Sequence, residues 1–314
     1  MRLSDCDDYI HGRNRIDWRK SMQENVYEKI RREFKENDDI RDDGLTTPED
    51  VGRVDDICYG TDTTWQVLDV YRPKAAQERK LPVIISYHGG GWVYGDKERY
   101  QYYGMSLAKQ GFAVVNFTYR LAPEFQYPAP LEDMNLVVKW VLSRKEQYGF
   151  DTDNVFLVGD SAGGHGIALY TAMCTNPKCA GQYAFSVPHG FIPNAIAINC
   201  GVAEVRMTDE QTKELMKIYL PGHGTKEELD KMSPLLYITE QFPPTFVMTA
   251  EGDFLRDDAM KYAKRLTECN VENVYRYYKS ADGPLGHVFH CNMKSAIAHA
   301  CNEEECGFFR NHMV

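Results

Sequence analysis

A serine lies between glycines at the point where an apolar run meets a series of small residues. The segment VFLVGDSAGGHG, residues 155–166, places Ser161 directly after what looks like the end of a strand. A sharp turn between a strand and a helix lifts a serine hydroxyl above a sheet, where it can act as a nucleophile. An ordinary tight connection that carries a serine fits the same letters, so Ser161 needs catalytic partners elsewhere in the chain.

A serine hydroxyl reacts efficiently when a base accepts its proton and an acid orients that base. Asp253 follows the apolar run PTFVMTA, and His287 lies in the loop after the run VYRYY. Both runs are typical of strands, and ligand sites of open α/β sheets lie at the carboxyl ends of the strands. We therefore expect Asp253 and His287 at the sheet edge that carries Ser161.

Other acidic residues and another histidine lie close to these candidates. Asp257 and Asp258 are alternatives to Asp253, although the position directly after the strand favours Asp253. We expect Asp257 to begin a helix as an N-terminal carboxylate. His290 is the alternative to His287, and we expect it on the first turn of the last helix in a structural role.

A further stretch could supply N–H donors to an oxygen that becomes negative. The segment ISYHGGGW places three glycines, residues 89–91, after an apolar run. Glycine lets a backbone N–H approach a substrate closely, and each such donor is worth about 3 kcal/mol of transition-state stabilisation. We expect His88 to hydrogen-bond within this loop, and His165, on the helix after Ser161, to pack.

Short runs rich in β-branched or aromatic residues alternate with helix-like segments. The runs are WQVLDVY, LPVIISYH, FAVVNFTY, NVFLVGD, NAIAINC, PTFVMTA and VYRYY. The helix-like segments lie at about residues 102–110, 131–148, 165–174, 257–268 and 293–309. This alternation predicts an α/β protein with a doubly wound, mostly parallel sheet in one main domain.

Two further helical segments lie outside this alternation. Apolar residues recur every four positions near the N-terminus, at Met22, Val26, Ile30 and Phe34. This spacing predicts an amphipathic helix, and the acidic run KENDDIRDDG predicts a loop or linker after it. Residues 201–242 have helix-like sequence without a strand pattern, and we expect them to form a lid or cap with the N-terminal helix.

Composition and charge exclude several classes of protein. The chain has 314 residues and a formal net charge of −10, which does not favour nucleic-acid binding. Apolar runs stay well below the about 18 residues that a membrane span needs. The first residues, MRLSDCDDYIHGRNR, lack the apolar core of a secretory signal, and the nine cysteines are an odd number. We therefore expect a cytoplasmic protein with no nucleic-acid or membrane partner.

Histidines and cysteines also accumulate near the C-terminus. They are His287, His290, Cys291, His299, Cys301 and Cys306. Their spacing matches no paired CxxC pattern, and His287 already has a candidate role. We therefore predict no metal site and no cofactor.

Several motifs occur together, in one order, across about residues 80–290. They are HGGGW, YRLAPE followed by YPAPLED, GDSAGG, DFLRDD and GHVF. On these motifs the sequence resembles the hormone-sensitive-lipase-like family of α/β hydrolases, in its branch of bacterial carboxylesterases and acetyl esterases. The resemblance implies an α/β-hydrolase fold, with a mostly parallel eight-stranded sheet flanked by helices and covered by a helical cap.

The resemblance also implies roles for single residues. Ser161 of GDSAGG would be the nucleophile, Asp253 of DFLRDD the acid and His287 of GHVF the base of a catalytic triad. The oxyanion hole would be formed by the backbone N–H groups of Gly90, Gly91 and Ala162. The chain departs from the family at Phe254, where proline is usual, and in the long approach to the histidine, SADGPLGHVF.

The activity implied by the resemblance is serine-dependent hydrolysis of short-chain acyl esters without a cofactor. Residues 1–50 would contribute a helical segment to the cap, residues 201–242 the cap insertion, and residues 51–200 and 243–314 the core. The expected partner is a small-molecule ester, and a homo-oligomer is compatible with the sequence. Two other functions stay open, namely ligand binding without turnover and hydrolysis of small amides.

Overall fold

The computed structural model describes residues 25–76 and 79–314. In this part of the chain, one sheet contains the strands β1 (Val51–Cys58), β2 (Val67–Pro73), β3 (Leu81–Tyr87), β4 (Ala113–Phe117), β5 (Phe150–Asp160), β6 (Ala195–Asn199), β7 (Thr245–Ala250) and β8 (Asn273–Tyr278). The strand order is β1-β2-β4-β3-β5-β6-β7-β8. The pairs β1–β2 and β2–β4 are antiparallel and the others are parallel. The mostly parallel eight-stranded sheet predicted from the sequence is therefore confirmed.

Helices cover both faces of the sheet. They are α1 (Val26–Asp42), α2 (Lys97–Lys109), α3 (Ala129–Ser143), α4 (Lys145–Tyr148), α5 (Ala162–Thr175), α6 (Pro177–Ala180), α7 (Glu210–Tyr219), α8 (Lys226–Lys231), α9 (Arg256–Glu268) and α10 (Ala296–Arg310). Val83 and Ile85 face an apolar cluster shared with α3, α5 and α9, whereas Ile84 faces a second cluster shared with α2 and α10. Because both faces are covered, the central strands are apolar almost throughout.

The acidic run KENDDIRDDG, predicted to be a loop or linker, is helical apart from its last two residues. Helix α1 continues through it to Asp42. Ion pairs one helical turn apart support a helix of low apolar content, and Nζ of Lys35 lies 2.5 Å from Oδ2 of Asp39. Met22, which the predicted helix included, lies outside the described residues.

Strand β1 was not predicted from the sequence. Its segment, VGRVDDIC, buries only Val51 fully, and its other residues are all partly or fully exposed. It lies at the edge of the sheet and pairs with β2 alone. An edge strand needs no continuous apolar run, so its pattern resembles that of a loop.

The first turn of α5 packs closely against the end of β3. A Cβ atom on Gly163 would lie 2.1 Å from the carbonyl oxygen of Tyr87 and 2.5 Å from that of His88. Only glycine permits such an approach between two backbones. This contact brings the segment after β5 and the segment after β3 together at the carboxyl edge of the sheet.

Residues 201–242 and α1 are both fastened to the core at this edge. Residues 201–242 contain α7 and α8, and the N–H of Tyr127 donates to the carbonyl of Tyr219 at 2.9 Å. Nε of Arg31 on α1 donates to the carbonyl of Val93 at 2.7 Å, and its guanidinium also forms a salt bridge with Glu124 at 2.6 Å. Within the described residues, no helix combines the length and apolar character needed to cross a membrane.

Candidate active site

Ser161 occupies the turn between β5 and α5 in a backbone conformation that L-residues rarely adopt. Its φ is +51° and its ψ is −119°, a strained combination that costs about 1–3 kcal/mol. The Ser161 N–H donates to the carbonyl of Asn199 at 3.0 Å, and the Ser161 carbonyl accepts from the N–H of Val202 at 3.1 Å. The turn leaves the serine side chain beside a cavity, which is the geometry that presents a nucleophile.

Asp253 and His287 are joined by a hydrogen bond at the same edge of the sheet. Nδ1 of His287 lies 2.7 Å from Oδ1 of Asp253. Asp253 follows β7, and the loop that carries His287 is fastened to this turn, because the N–H of Gly252 donates to the carbonyl of Leu285 at 2.9 Å. The structure therefore brings together the acid and the base that the sequence predicted.

The Asp253 carboxylate is buried and accepts hydrogen bonds on both oxygens. Oγ1 of Thr249 lies 2.6 Å from Oδ2, and the N–H of Leu255 lies 2.9 Å from Oδ1. Burial by itself raises the pKa of Asp253, but the hydrogen bond and charge of His287, with these other donors, hold the pKa below its usual range. The carboxylate is therefore ionised at neutral pH and can orient and stabilise a protonated imidazole.

A cavity of about 310 Å³ lies over these residues. Its lining includes Ser161, Gly91 and His287, which come from three separate segments of the chain. Large apolar side chains also line it, namely Ile30, Phe34, Trp92, Leu215 and Phe254. Exposed polar residues complete much of the lining: Glu204, Arg206, Thr208, Asp209 and Gln211. The cavity thus combines an apolar surface with a polar, solvent-accessible one beside the serine.

The loop after β3 carries the glycines predicted to form an oxyanion hole. Gly91 lines the cavity with a φ of +60°. Gly90 has a φ of +114°, and a Cβ atom there would lie 2.0 Å from the carbonyl oxygen of Tyr94. Ala162 is the first residue of α5, where a backbone N–H has no partner within the helix. Backbone N–H groups from two segments are thus placed next to the serine turn.

A buried chain of hydrogen bonds links this loop to the turn of Ser161. The hydroxyl of Tyr100 donates to Oδ2 of Asp160 at 2.8 Å and accepts from the N–H of Gly89 at 3.0 Å. Burial raises the pKa of Asp160 to about 6, although the hydrogen bond from Tyr100 acts in the opposite direction. The buried carboxyl group of Asp160 therefore links the Ser161 turn, through Tyr100, to the loop after β3.

The two carboxylates that compete with Asp253 have other environments. Asp257 and Asp258 both lie in the first turn of α9, as expected for Asp257. Asp258 is buried and accepts from the N–H of Ala203 at 3.0 Å and from Nη2 of Arg206 at 2.5 Å. Asp257 is exposed. Within the described residues, neither carboxylate has a hydrogen bond to a histidine such as the one that joins Asp253 to His287.

His290 does not lie on the first turn of the last helix, where it was expected. It lies in the three-residue 3-10 turn Phe289–Cys291, and α10 begins later because the Ser295 side chain caps it. The buried His290 ring packs edge to face on Tyr103, with ring centroids 5.0 Å apart. Burial lowers the pKa of His290 to about 3. A neutral ring in such a place packs the core, which favours His287 as the base.

His88 and His165 are also buried, and burial lowers the pKa of each to about 4. Nδ1 of His88 lies 2.7 Å from the carbonyl of Gly89, within its own loop. Nε2 of His165 donates to the carbonyl of Met232 at 2.6 Å. The His88 bond therefore lies within its own loop, as expected, and the His165 bond joins α5 to the segment that carries Met232.

The histidines and cysteines near the C-terminus do not converge on a common centre in the part of the chain that the structure describes. One group of three potential ligands in this part lies close together, namely Cys200, Asp253 and His287. Only His287 belongs to the cluster seen in the sequence. Cys200 lies beside Asp253 because β6 and β7 are paired and end at the same edge of the sheet. No sequence motif marks this pairing, so the sequence did not predict the contact.

Three side chains contact the candidate residues or the neighbouring Asp160, and the sequence did not predict these contacts. Thr249 and Tyr100 donate to the carboxylates of Asp253 and Asp160, and ordinary strand and helix sequences conceal both contacts. The ring centroids of Phe254 and His287 lie 4.3 Å apart, although Phe254 is 74% exposed. The departure from the usual proline at this position was the one signal in the sequence that could have drawn attention to it.

Known proteins resemble this chain over most of its length. A sequence model of a family described as alpha/beta hydrolase fold matches residues 84–290. Carboxylesterase NlhH of Mycobacterium tuberculosis is 29% identical over 228 residues, which cover 70% of this chain and 71% of NlhH. Esterase LipC of the same organism is 28% identical, and the match covers 67% of this chain but 54% of LipC. The crystal structure of esterase B from Lactobacillus rhamnosis superposes with a TM-score of 0.83 at 25% identity, covering 92% of this chain and 95% of that one.

The buried carboxyl of Asp160 predicts a pH dependence of stability. Because folding raises its pKa to about 6, the folded chain holds this proton more tightly than the unfolded chain does. The stability that the proton provides is lost as the pH rises from about 4 to about 6, by about 1.4 kcal/mol for each pH unit. Asp160→Asn lacks the titrating group, so we expect it to gain about 2 kcal/mol relative to the parent chain between pH 4.5 and pH 7.5.

Urea unfolding of both chains at the two pH values measures this gain. Asp153→Asn removes an exposed carboxylate from the N-terminal part of the same strand and controls for the loss of a charge. A stability difference between Asp160→Asn and the parent that does not change with pH would contradict the prediction.

Proposed function

The chain belongs to the α/β-hydrolase fold family, and we propose that it is a serine carboxylesterase that hydrolyses short-chain acyl esters. The family match and the relatives that carry the names esterase and carboxylesterase support this class of reaction. In the proposal, the catalytic triad consists of Ser161, His287 and Asp253. The oxyanion hole consists of the backbone N–H groups of Gly90, Gly91 and Ala162.

The proposed reaction begins when the Ser161 hydroxyl attacks the ester carbonyl. Nε2 of His287 accepts the hydroxyl proton, while the 2.7 Å hydrogen bond from Nδ1 to Asp253 keeps the ring in the required tautomer. The carboxylate then stabilises the imidazolium that forms. The carbonyl oxygen becomes negative and accepts hydrogen bonds from the oxyanion hole, each worth about 3 kcal/mol in the transition state.

Collapse of the tetrahedral intermediate breaks the ester C–O bond. The His287 imidazolium returns its proton to the departing alcohol, which leaves an acyl group on Ser161. Water then attacks the acyl-enzyme, with His287 again as the base, and the carboxylic acid departs. The proposed reaction needs no cofactor.

The observation that carries this proposal is the convergence of three segments on one cavity. Ser161 follows β5, Gly91 follows β3 and His287 follows β8, and all three line the same cavity. The histidine is bonded to a buried carboxylate whose pKa is held low. A serine that only completes a tight turn would not require an oriented histidine–carboxylate pair beside it.

The size and lining of the cavity support a small substrate. Its volume of about 310 Å³ lies at the lower end of the roughly 300–1,000 Å³ usual for ligand sites. The side chains of Ile30, Phe34 and Leu215 offer an apolar surface to a short acyl chain. We therefore propose acetyl to hexanoyl esters as the preferred substrates.

We also propose that α1 and residues 201–242 form the cap over this cavity. Helix α1 contributes Ile30 and Phe34 to the lining, and α7 contributes Leu215. The two helices contact each other. Because they come from different parts of the chain, they can close the apolar side of the cavity together.

A cytoplasmic location and a small-molecule ester as partner complete the proposal. Eight cysteines lie among the described residues, and all eight are free, as is usual where thiols are kept reduced. The net charge of −10 disfavours phosphate-bearing partners such as nucleic acids.

The proposal predicts serine-dependent turnover that declines with acyl length. We expect the parent chain to hydrolyse p-nitrophenyl acetate, butyrate and hexanoate, with kcat/KM falling toward the dodecanoate because a long chain exceeds the cavity. Ser161→Ala removes the nucleophile and should abolish turnover while the chain stays folded. Spectrophotometric release of p-nitrophenol measures both effects, and circular dichroism checks the fold.

Other outcomes of this experiment distinguish the alternatives. Unchanged turnover in Ser161→Ala would falsify the nucleophile assignment. If no ester is hydrolysed at any length but p-nitroanilides are cleaved, the chain is an amidase. If neither class is turned over, ligand binding without catalysis replaces the proposal.

The two neighbouring histidines predict opposite effects of one substitution. His287→Gln removes the base, so we expect kcat to fall by at least about 10³-fold. The His290 ring packs on Tyr103 and forms no hydrogen bond with Asp253, so we expect kcat of His290→Gln to stay within about threefold of the parent. The kcat values of both variants are measured with p-nitrophenyl butyrate, below the melting temperature of each variant. A reversed order of the two effects would assign the base to His290.

A further inference from the structure

A thiol that belongs to no sequence motif lies behind the proposed acid and base. Cys200 follows β6 directly, is fully buried and has a φ of +47°. Its N–H donates to the carbonyl of Met248 at 2.8 Å, which ties it to β7, the strand that leads to Asp253. The adjacent ends of two parallel strands therefore bring the thiol next to the acid.

Three different types of metal ligand meet at this point. Sγ of Cys200, a carboxylate oxygen of Asp253 and a ring nitrogen of His287 all lie within 4.8 Å of one another. A tetrahedral zinc ion with ordinary bond lengths holds such atoms roughly 3.3–3.6 Å apart. Shifts of under about 1 Å at the side chains would meet those bond lengths. Thiolate, imidazole and carboxylate together are a ligand set that Zn²⁺ binds in proteins.

The contacts around the thiol and the carboxylate suit their metal-bound forms. Thr249 and Leu255 donate to Asp253 and would continue to orient the carboxylate around an ion. Burial and the neighbouring Asp253 carboxylate hold the pKa of the Cys200 thiol well above its usual range, so the ion itself must displace the thiol proton. A backbone hydrogen bond from Val288 acts in the opposite direction and would stabilise the metal-bound thiolate. Outer contacts of this kind fix the orientation of metal ligands and strengthen binding.

The site is reached from the cavity. Cys200 and Asp253 are buried, but the partly exposed His287 lines the cavity together with Ser161. An ion that enters there meets the imidazole first, and Cys200 and Asp253 lie behind the ring. Rotation of the His287 side chain would admit the ion to these two buried ligands.

We propose that Cys200, Asp253 and His287 form an inhibitory site for a thiophilic divalent cation such as Zn²⁺. The thiol proton is released to solvent, and a sulfur lone pair bonds to the metal. At His287 the metal takes the Nδ1 lone pair, and the Nδ1 proton passes through solvent to Nε2. The ring can then no longer accept the Ser161 proton. The inhibition rests on the proposed function, whereas the binding does not.

Binding is tested in the Ser161→Ala chain, which needs no turnover. Cd²⁺ reports a thiolate ligand through an ultraviolet charge-transfer band, and we expect one Cd²⁺ to bind with this band and Zn²⁺ to displace it. Cys200→Ser in the same chain should lose the band and bind at least about tenfold more weakly. Cys58→Ser, which removes an exposed thiol, should keep both the charge-transfer band and the affinity for Cd²⁺. A band unchanged by Cys200→Ser, or no band at all, would overturn the site.

Inhibition is tested as the ratio of ester hydrolysis with and without saturating Zn²⁺. We expect the parent chain to lose at least about tenfold in rate and EDTA to restore it, whereas the ratio should approach one in Cys200→Ser. Equal Zn²⁺ sensitivity in the two chains contradicts the site. Ester turnover without a Cd²⁺ band contradicts the metal site alone, and a Cys200-dependent band without ester turnover contradicts the proposed function alone.

Discussion

The backbone of Ser161 is held in a left-handed conformation that a serine adopts only under constraint, and the geometry of the site depends on it. A φ of +51° costs about 1–3 kcal/mol, so neighbouring contacts must keep it in place. The carbonyl of Asn199 holds the Ser161 N–H. Gly163, in the first turn of α5, lets this helix lie against the backbone at the carboxyl end of β3. With the turn fixed in this way, the serine side chain faces the cavity that His287 also lines.

Two buried carboxyl groups lie behind this turn, and each accepts hydrogen bonds from neighbouring side chains. Asp160 is bonded to Tyr100, and Glu305 accepts from the Asn199 side chain at 2.6 Å and from the Tyr103 hydroxyl at 2.9 Å. Burial raises the pKa of Glu305 to about 7. Charged groups in such places lower stability unless they are well bonded. Here Asp160 is linked through Tyr100 to the loop after β3, and Glu305 links the end of β6 to α2.

The sequence allowed the sheet and the order of the candidate residues to be predicted because both depend on local patterns. Apolar runs marked the strands from β2 to β8. Ser161 directly follows one of these runs, and Asp253 and His287 lie in the loops that follow two others. Helix α1 was predicted too short because ion pairs such as Lys35–Asp39 sustain a helix whose composition is that of a loop. The proximity of Cys200 to Asp253 could not be predicted, because it arises from the pairing of β6 with β7.

The central claim is that Ser161 is a nucleophile activated by the bonded pair of His287 and Asp253. The most direct test is to treat the folded chain with diethyl p-nitrophenyl phosphate and to locate the modification by peptide mass spectrometry. The account predicts one diethylphosphoryl group per chain, attached to Oγ of Ser161, with p-nitrophenol released in equal amount. Modification at another residue, or ester hydrolysis that continues unchanged in a chain that the reagent leaves unmodified, would contradict it.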